Sequence, residues 1–330
     1  MSIQIRKVSS KKELKTFVRF ANRLYKGNKY YVPSMPMDDL STFSKEKNAA
    51  FEFSDAEFYL AYKDGEVVGR VAAIINHKAN EAWKVKQVRF GWIDFIDDME
   101  VSAALLDAVI EFGRKAGMTQ IVGPLGFTDF DPEGMLVDGY DRLGTMALIY
   151  NHPYYPEHMK KHGYYKETGW LEYRITIPET VSERHKQIAE AVMERYGLTI
   201  KKKTRRQIKK ERYGQKLFKL INETYCVLYG YSLLSEKQID QYVGLYLSLI
   251  DTEMLTFVEN AEGELIAAGI SIPSLSEALQ KCNGEIFPFG WWHLLKAMFL
   301  TKPDTVDLPR IGVRPDYQNK GINSIMILDL

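Results

Sequence analysis

Ile311-Gly312-Val313-Arg314-Pro315-Asp316-Tyr317-Gln318-Asn319-Lys320-Gly321-Ile322-Asn323, continuing through Ser324 to Asp329, passes from a β-branched strand through a Pro-containing turn into an apolar-periodic helix. Val313 ends the strand and Arg314-Pro315-Asp316 breaks it. Gln318 to Asn323 then sets backbone N–H groups at a helix N-terminus, where unpaired donors and the positive end of the helix dipole favour an anion. Gly321 has no Cβ, so a diphosphate can approach the chain closely there. The stretch predicts a phosphate cradle at the end of a strand, which places the chain in the α/β class.

The order Val313, Pro315, Tyr317, Gln318, Gly321 resembles the signature of the GNAT acyltransferase superfamily, a strand ending in Val followed by x-Pro-x-Tyr-Gln/Arg-x-x-Gly-x-Gly/Ala. Asn323 departs from it, standing where Gly or Ala is usual. The resemblance implies that Ile311, Gly312, Val313, Gln318, Asn319, Lys320, Gly321, Ile322 and Asn323 hold acyl-coenzyme A as co-substrate. It also implies a thioester carbonyl polarised by a strand N–H near Val313.

Length and charge bound the remaining classes. The 330 residues suit about two domains, and Lys+Arg 44 against Asp+Glu 43 leaves a net charge of +1, so no overall field recruits nucleic acid. Cys226 and Cys282 form no metal-binding spacing, and no metal is expected; isolated thiols fit a reducing cytoplasm. The N-terminus lacks a signal-like apolar region, and no run of eighteen apolar residues occurs.

The pattern along the chain repeats once. The first half reads as a strand over Ile3 to Val8, a helix over Lys11 to Tyr25, a hairpin of Glu57 to Lys63 with Glu66 to Asn76 turned by Asp64-Gly65, a strand over Gln87 to Phe95, a helix over Met99 to Ala116 and a buried strand over Met118 to Val122. This is the order of a GNAT domain, but Ile96-Asp97-Asp98-Met99-Glu100 stands where a phosphate loop would be, and its carboxylates repel a diphosphate while capping a helix well. The second half reads as a strand over Leu198 to Lys203, helices over Lys216 to Tyr229 and Glu236 to Ile250, a hairpin of Met254 to Glu259 with Glu264 to Ile272, an insertion, and the strand Val306 to Val313. The expected fold is two tandem GNAT-like domains with mixed, mostly antiparallel sheets flanked by helices. Residues 1–178 form the first, degenerate for the cofactor; 179–197 form a connecting helix; 198–330 form the second, which reaches Leu330 inside a helix and is expected to be incomplete or continued beyond it.

Three further segments carry chemistry. The turn-rich loop Gly123 to Gly134 presents Asp129, Asp131 and Glu133; these either attract a cationic amine or cap their own loop. The insertion Phe287 to Leu300, with Trp291, Trp292, His293, Met298 and Phe299, reads as a core helix, an acyl-chain receiver or an interfacial anchor, with Trp292 and Phe299 as candidate substrate contacts. Lys201 to Arg212 holds eight basic residues in twelve, a solvated face or a patch for an anionic surface. Asp307 shares strand parity with Ile311 and Val313 and is the candidate base.

The Gly-Pro loop, Leu136 to Asp141, Tyr154-Tyr155-Pro156 with Gly163-Tyr164, and Phe287 to Trp291 also resemble a set of bacterial tandem proteins of the GNAT type along most of the chain. Some of these are connected with transfer of fatty acyl groups to sphingoid-base amines. The resemblance implies an acyl-CoA-dependent N-acyltransferase acting on a small-molecule or lipid amine, in the cytoplasm or peripheral to the inner membrane. The rival readings are a short-chain N-acetyltransferase, an aminoacyl- or peptidoglycan-directed transferase, and a non-catalytic acyl-CoA-binding or regulatory protein.

Overall fold

The computed structural model describes residues 2–246 and 250–330. In chain order the described strands are β1 Gln4–Lys7, β2 Ser54–Lys63, β3 Glu66–Asn76, β4 Gln87–Phe95, β5 Gln120–Val122, β6 Thr199–Ile200, β7 Leu255–Glu259, β8 Leu265–Pro273 and β9 Val306–Val313. The helices are α1 Lys11–Leu24, α2 Pro36–Thr42, α3 His77–Trp83, α4 Met99–Lys115, α5 Tyr154–Lys161, α6 Glu183–Tyr196, α7 Arg205–Lys210, α8 Tyr213–Tyr225, α9 Glu236–Tyr246, α10 Ser276–Cys282, α11 Gly290–Leu295 and α12 Ile322–Asp329. They form two compact units, Met1–Trp170 with Ser274–Lys302, and Leu171–Pro273 with Pro303–Leu330.

The first unit is a five-stranded sheet in the order β1-β2-β3-β4-β5, antiparallel except for β5, which runs parallel to β4. Asp64 and Gly65 both take positive φ, the geometry that a two-residue hairpin between right-twisted strands requires. β3 is apolar on both faces because both are covered. Val71, Ala73 and Ile75 pack beneath α4 and α5, while Ala72 and Ile74 pack with Phe17 and Val18 of α1. β5 is shorter than the expected strand, with Gln120 exposed, because it lies at the edge of the sheet, open on one side.

A buried ion pair ties this unit together. Arg70 on β3 and Asp94 on β4 face each other at 2.8 Å, and Arg70 also donates to the carbonyls of Phe17 and Val18 at the centre of α1. The Tyr25 hydroxyl lies 3.0 Å from Asp94 and 2.8 Å from the Tyr155 hydroxyl, which joins α5 to the same network.

The second unit is an antiparallel sheet in the order β6-β7-β8-β9, with α6 and α12 on one face and α8 on the other. β6 is only two residues long, because beyond the Lys201 N–H, which still bonds Phe257, the basic run leaves the ladder to meet Asp329 and Glu211. α8 begins at Tyr213, three residues earlier than expected, and ends at Tyr225. The expected extension of α9 to Ile250 crosses residues 247–249, which lie outside the described residues. α6, read from sequence as a connector, packs on α12 within this unit. Residues 274–302, read as an insertion of the second domain, fold with the first unit: Gln280 donates to the carbonyls of Lys29 and Tyr31, and Arg19 pairs with Glu285 at 2.8 Å.

Asp94→Ala is expected to destabilise the first unit by about 3–5 kcal/mol, since it leaves Arg70 buried without its counter-charge. Replacing both partners with apolar residues of similar size should cost far less. Urea unfolding of the parent and the two variants measures both.

Candidate functional site

The register of β8 and β9 sets up the cradle. Ala268 pairs with Gly312, and the Arg314 N–H donates to Ile266 at 2.8 Å, so the intervening Val313 turns its N–H and C=O away from β8, as Ile311 does two residues earlier. Both outward groups of Ile311 meet one hydroxyl, that of Tyr225 on α8, at 3.3 Å from the N–H and 3.0 Å from the carbonyl. The outward carbonyl of Val313 accepts from Gln318 Nε2 at 3.0 Å. The Val313 N–H is thereby left as a donor at the outer edge of the strand end.

The loop that follows is eight residues long, 314–321. Pro315–Tyr317 make a single tight turn, Asn319 takes φ 60°, and Gly321 takes φ 80° as the N-cap of α12. Ser324 closes the first helical turn, its N–H reaching the Gly321 carbonyl at 3.0 Å. The five successive N–H groups of Asn319 to Asn323 have no hydrogen-bond acceptor among the described residues. Lys320 lies over the rings of Tyr196 and Tyr317, at 5.3 and 4.8 Å, with no carboxylate partner within ion-pair distance among the described residues. Arg314, by contrast, is committed to Asp316 and Glu264, and these bonds hold its guanidinium pKa above the usual value. The arrangement can hold a multiply charged anion on backbone donors, beside one available cation.

Other expected site residues distribute differently. Ile311 and Val313 direct their side chains into the α6–α12 core, and Gly312 faces Thr224 on α8 so closely that a Cβ would lie 3.0 Å from its Oγ1. Gln318 acts as the clasp of the loop. Asp307 is off the expected face: Ile270 pairs with Arg310 but Ile272 with Asp307, so β9 carries one extra residue there. That bulge reverses the parity and puts Asp307 on the α8 face with Arg310 and Gly312. There its charge, after burial, helps to raise the Glu172 pKa. Tyr225 was not foreseen; its spacing on α8 is that of an ordinary helix residue.

The loop Gly123 to Gly134 belongs to the first unit. Asp131 turns back under it, its carboxylate accepting from the Thr128 N–H at 2.9 Å and packed against Gly126, where a Cβ would come within 2.2 Å. Burial pushes the Asp131 carboxyl up to about 7, against the opposing pull of the Thr128 and Phe127 N–H groups. Asp131 therefore shapes the loop, while Asp129 and Glu133 are half-buried on it and also engaged with neighbours. Trp292 on α11 and Phe299 in the wide turn after it are 48% and 50% exposed, and Phe287 and Phe289 are more so. The segment is thus not a core helix.

In the first unit the position equivalent to the cradle is closed. The Ile96 N–H bonds Val68 just as Arg314 bonds Ile266, but only three residues, 96–98, separate β4 from α4. The Asp98 side chain accepts from Glu100 N and pairs with Lys63, so it fills the helix start with a carboxylate.

No known protein-family model matches the chain. The chain is 26% identical over 328 residues to Protein YghO of Escherichia coli, covering 98% of this chain and 82% of that protein. It is 24% identical over 319 residues to a bacterial ceramide synthase of Caulobacter vibrioides, covering 94% and 80%. Among solved structures, a tandem GNAT protein from the clavulanic acid biosynthesis pathway superposes with a TM-score of 0.50 at 10% identity, over 99% of this chain and 84% of that one. The chain has the tandem GNAT fold.

Two outcomes are expected at these sites. Gly321→Val puts a branched side chain at φ 80° with Val192 Cγ2 already 3.2 Å from the Cβ position; acyl-coenzyme A binding by calorimetry should weaken more than tenfold, at least about 1.4 kcal/mol. For Asp131, the unfolded carboxyl ionises near its ordinary value of about 4, whereas the folded one keeps its proton until about 7. Its contribution therefore favours folding at low pH and is lost as pH rises through that window. Asp131→Asn keeps the acceptor without the charge, so its stability relative to the parent should improve between pH 5 and 8 in denaturant titrations.

Proposed function

We propose that the protein is an acyl-coenzyme A-dependent N-acyltransferase whose second unit holds the donor. The observation that carries this reading is the run of five N–H groups, Asn319 to Asn323, that have no acceptor among the described residues, in the loop and helix start that follow the outward Val313 N–H. The diphosphate would lie on the first set of donors and the thioester carbonyl on the second, where a preorganised donor stabilises the oxyanion. A neutral amine attacks the carbonyl carbon, the C–S bond breaks, and the coenzyme A thiolate leaves and takes up a proton. The proton lost by the amine passes to water; Asp307, six residues down β9 from Val313 and so roughly 20 Å away, is too far from that carbonyl to take it directly. No group of three or more His, Cys, Asp or Glu among the described residues is placed to bind a metal.

The donor is a long-chain acyl-coenzyme A and the acceptor a lipid amine such as a sphingoid base. Two observations support this finer reading: the exposed aromatic segment Phe287 to Leu300, and similarity along most of the chain to a protein named a bacterial ceramide synthase. The first unit, with its short acidic loop, would bind no coenzyme A. No helix among the described residues is long and apolar enough to cross a membrane. On this reading the protein would work from the cytoplasm, with Phe287 to Leu300 taking up the acyl chain or touching the inner membrane.

Each methylene removed from water should add about 0.8 kcal/mol, so palmitoyl-coenzyme A should bind far more tightly than acetyl-coenzyme A below its micelle-forming concentration. Trp292→Ala with Phe299→Ala should remove most of that difference and leave acetyl-coenzyme A binding nearly unchanged. Equal binding of both donors by the parent would make the enzyme a short-chain acetyltransferase.

A further inference from the structure

The basic run is built as an outward-facing surface. Thr204 and Gln207 cap α7 reciprocally, and Ile208 is the helix's one buried side chain, so Arg205, Arg206, Lys209 and Lys210 all point to solvent. Lys201 to Arg212 contains eight cations and a single acid, in a chain whose net charge is +1. Three of the eight are engaged: Lys202 with Asp329 at 2.8 Å, Lys203 with Glu211 at 2.7 Å, and Arg205 with the Ile250 carbonyl. Lys201, Arg206, Lys209, Lys210 and Arg212 have no carboxylate within ion-pair distance among the described residues.

We propose that these five cations form a docking surface for an anionic phospholipid bilayer. Tyr213, the aromatic residue that follows the run in sequence, is buried, so it offers no face on which a base of a single-stranded nucleic acid could stack. Nor is the patch part of the cradle. Lys202 is tied to the last residue of α12, about 10 Å along the helix from the donors at its start. What remains is density of positive charge over one short helix and its flanks, which suits a plane of negative head groups. The proposal does not rest on the acyl-transfer reading.

The test is sedimentation of the full chain with vesicles of phosphatidylcholine alone or with about one-third phosphatidylglycerol, at low and high salt. Binding should be at least about tenfold stronger to the anionic vesicles and should be lost at high salt. Arg206→Glu with Lys209→Glu and Lys210→Glu should abolish the preference while leaving coenzyme A binding and thermal melting unchanged. Lys160→Glu with Lys161→Glu, on α5 of the first unit, should retain it. If the triple variant melts early, Arg206→Gln with Lys210→Gln serves in its place and should lower the preference severalfold. Equal binding to neutral and anionic vesicles, or a preference untouched by the α7 variants, overturns the proposal. So does an RNA oligomer that competes for the patch at lower phosphate concentration than the vesicles.

Discussion

The hydrogen bond from the Gln318 side chain to the Val313 carbonyl is the constraint on which the second unit's site depends. Val313 ends an edge strand, where outward backbone groups ordinarily face water. Taking up its carbonyl folds residues 314–321 back on the strand, and the chain can then enter α12 only through the positive φ of Asn319 and Gly321. Those two residues aim the following N–H groups outward instead of into a continuing helix. One side-chain bond thus ties a strand end to the loop that leads into α12, both of which carry N–H groups without an acceptor among the described residues.

The two units use the same ladder to different ends. By the equivalent bonds Ile96 to Val68 and Arg314 to Ile266, Asp94 and Arg70 of the first unit correspond to Gly312 and Ala268 of the second. The first fills that place with an ion pair that locks α1 and α5, and ends its strand in a three-residue acidic turn. The second fills it with small residues, so α8 approaches β9 closely enough for Tyr225 to bond both polar groups of Ile311. A repeated fold has become a rigid unit and a unit with backbone to spare.

Much of this was legible before any coordinates. The Asp64-Gly65 turn, β4 over Gln87 to Phe95, β9 over Val306 to Val313 and the helix start at Gly321 lie where local pattern placed them, because each rests on a short-range cause: a turn needing positive φ, a period of two, a glycine at a helix start. The misreadings share a different origin. Strict alternation puts Asp307 on the face of Ile311 and Val313, and one extra residue between Asp307 and Arg310 reverses it. Phe287 to Leu300 is not a misreading but a choice left open between a core helix and an exposed segment, and nothing local decides it in favour of exposure. Asp131 resembles any loop carboxylate until Gly126 and the Thr128 N–H close around it.

The sequence by itself determined the class of fold, its duplication and the position of the strand–loop–helix unit at Gly321, because hydrophobic period and backbone freedom act over a few residues. Only the tertiary structure decided which side chains share a face, which carboxylates are consumed by the chain, and that residues 274–302 belong with the first unit. Those outcomes depend on strand register and on contacts between residues far apart in sequence, such as Gln280 with Lys29 or Tyr225 with Ile311, and no local pattern encodes such a pairing.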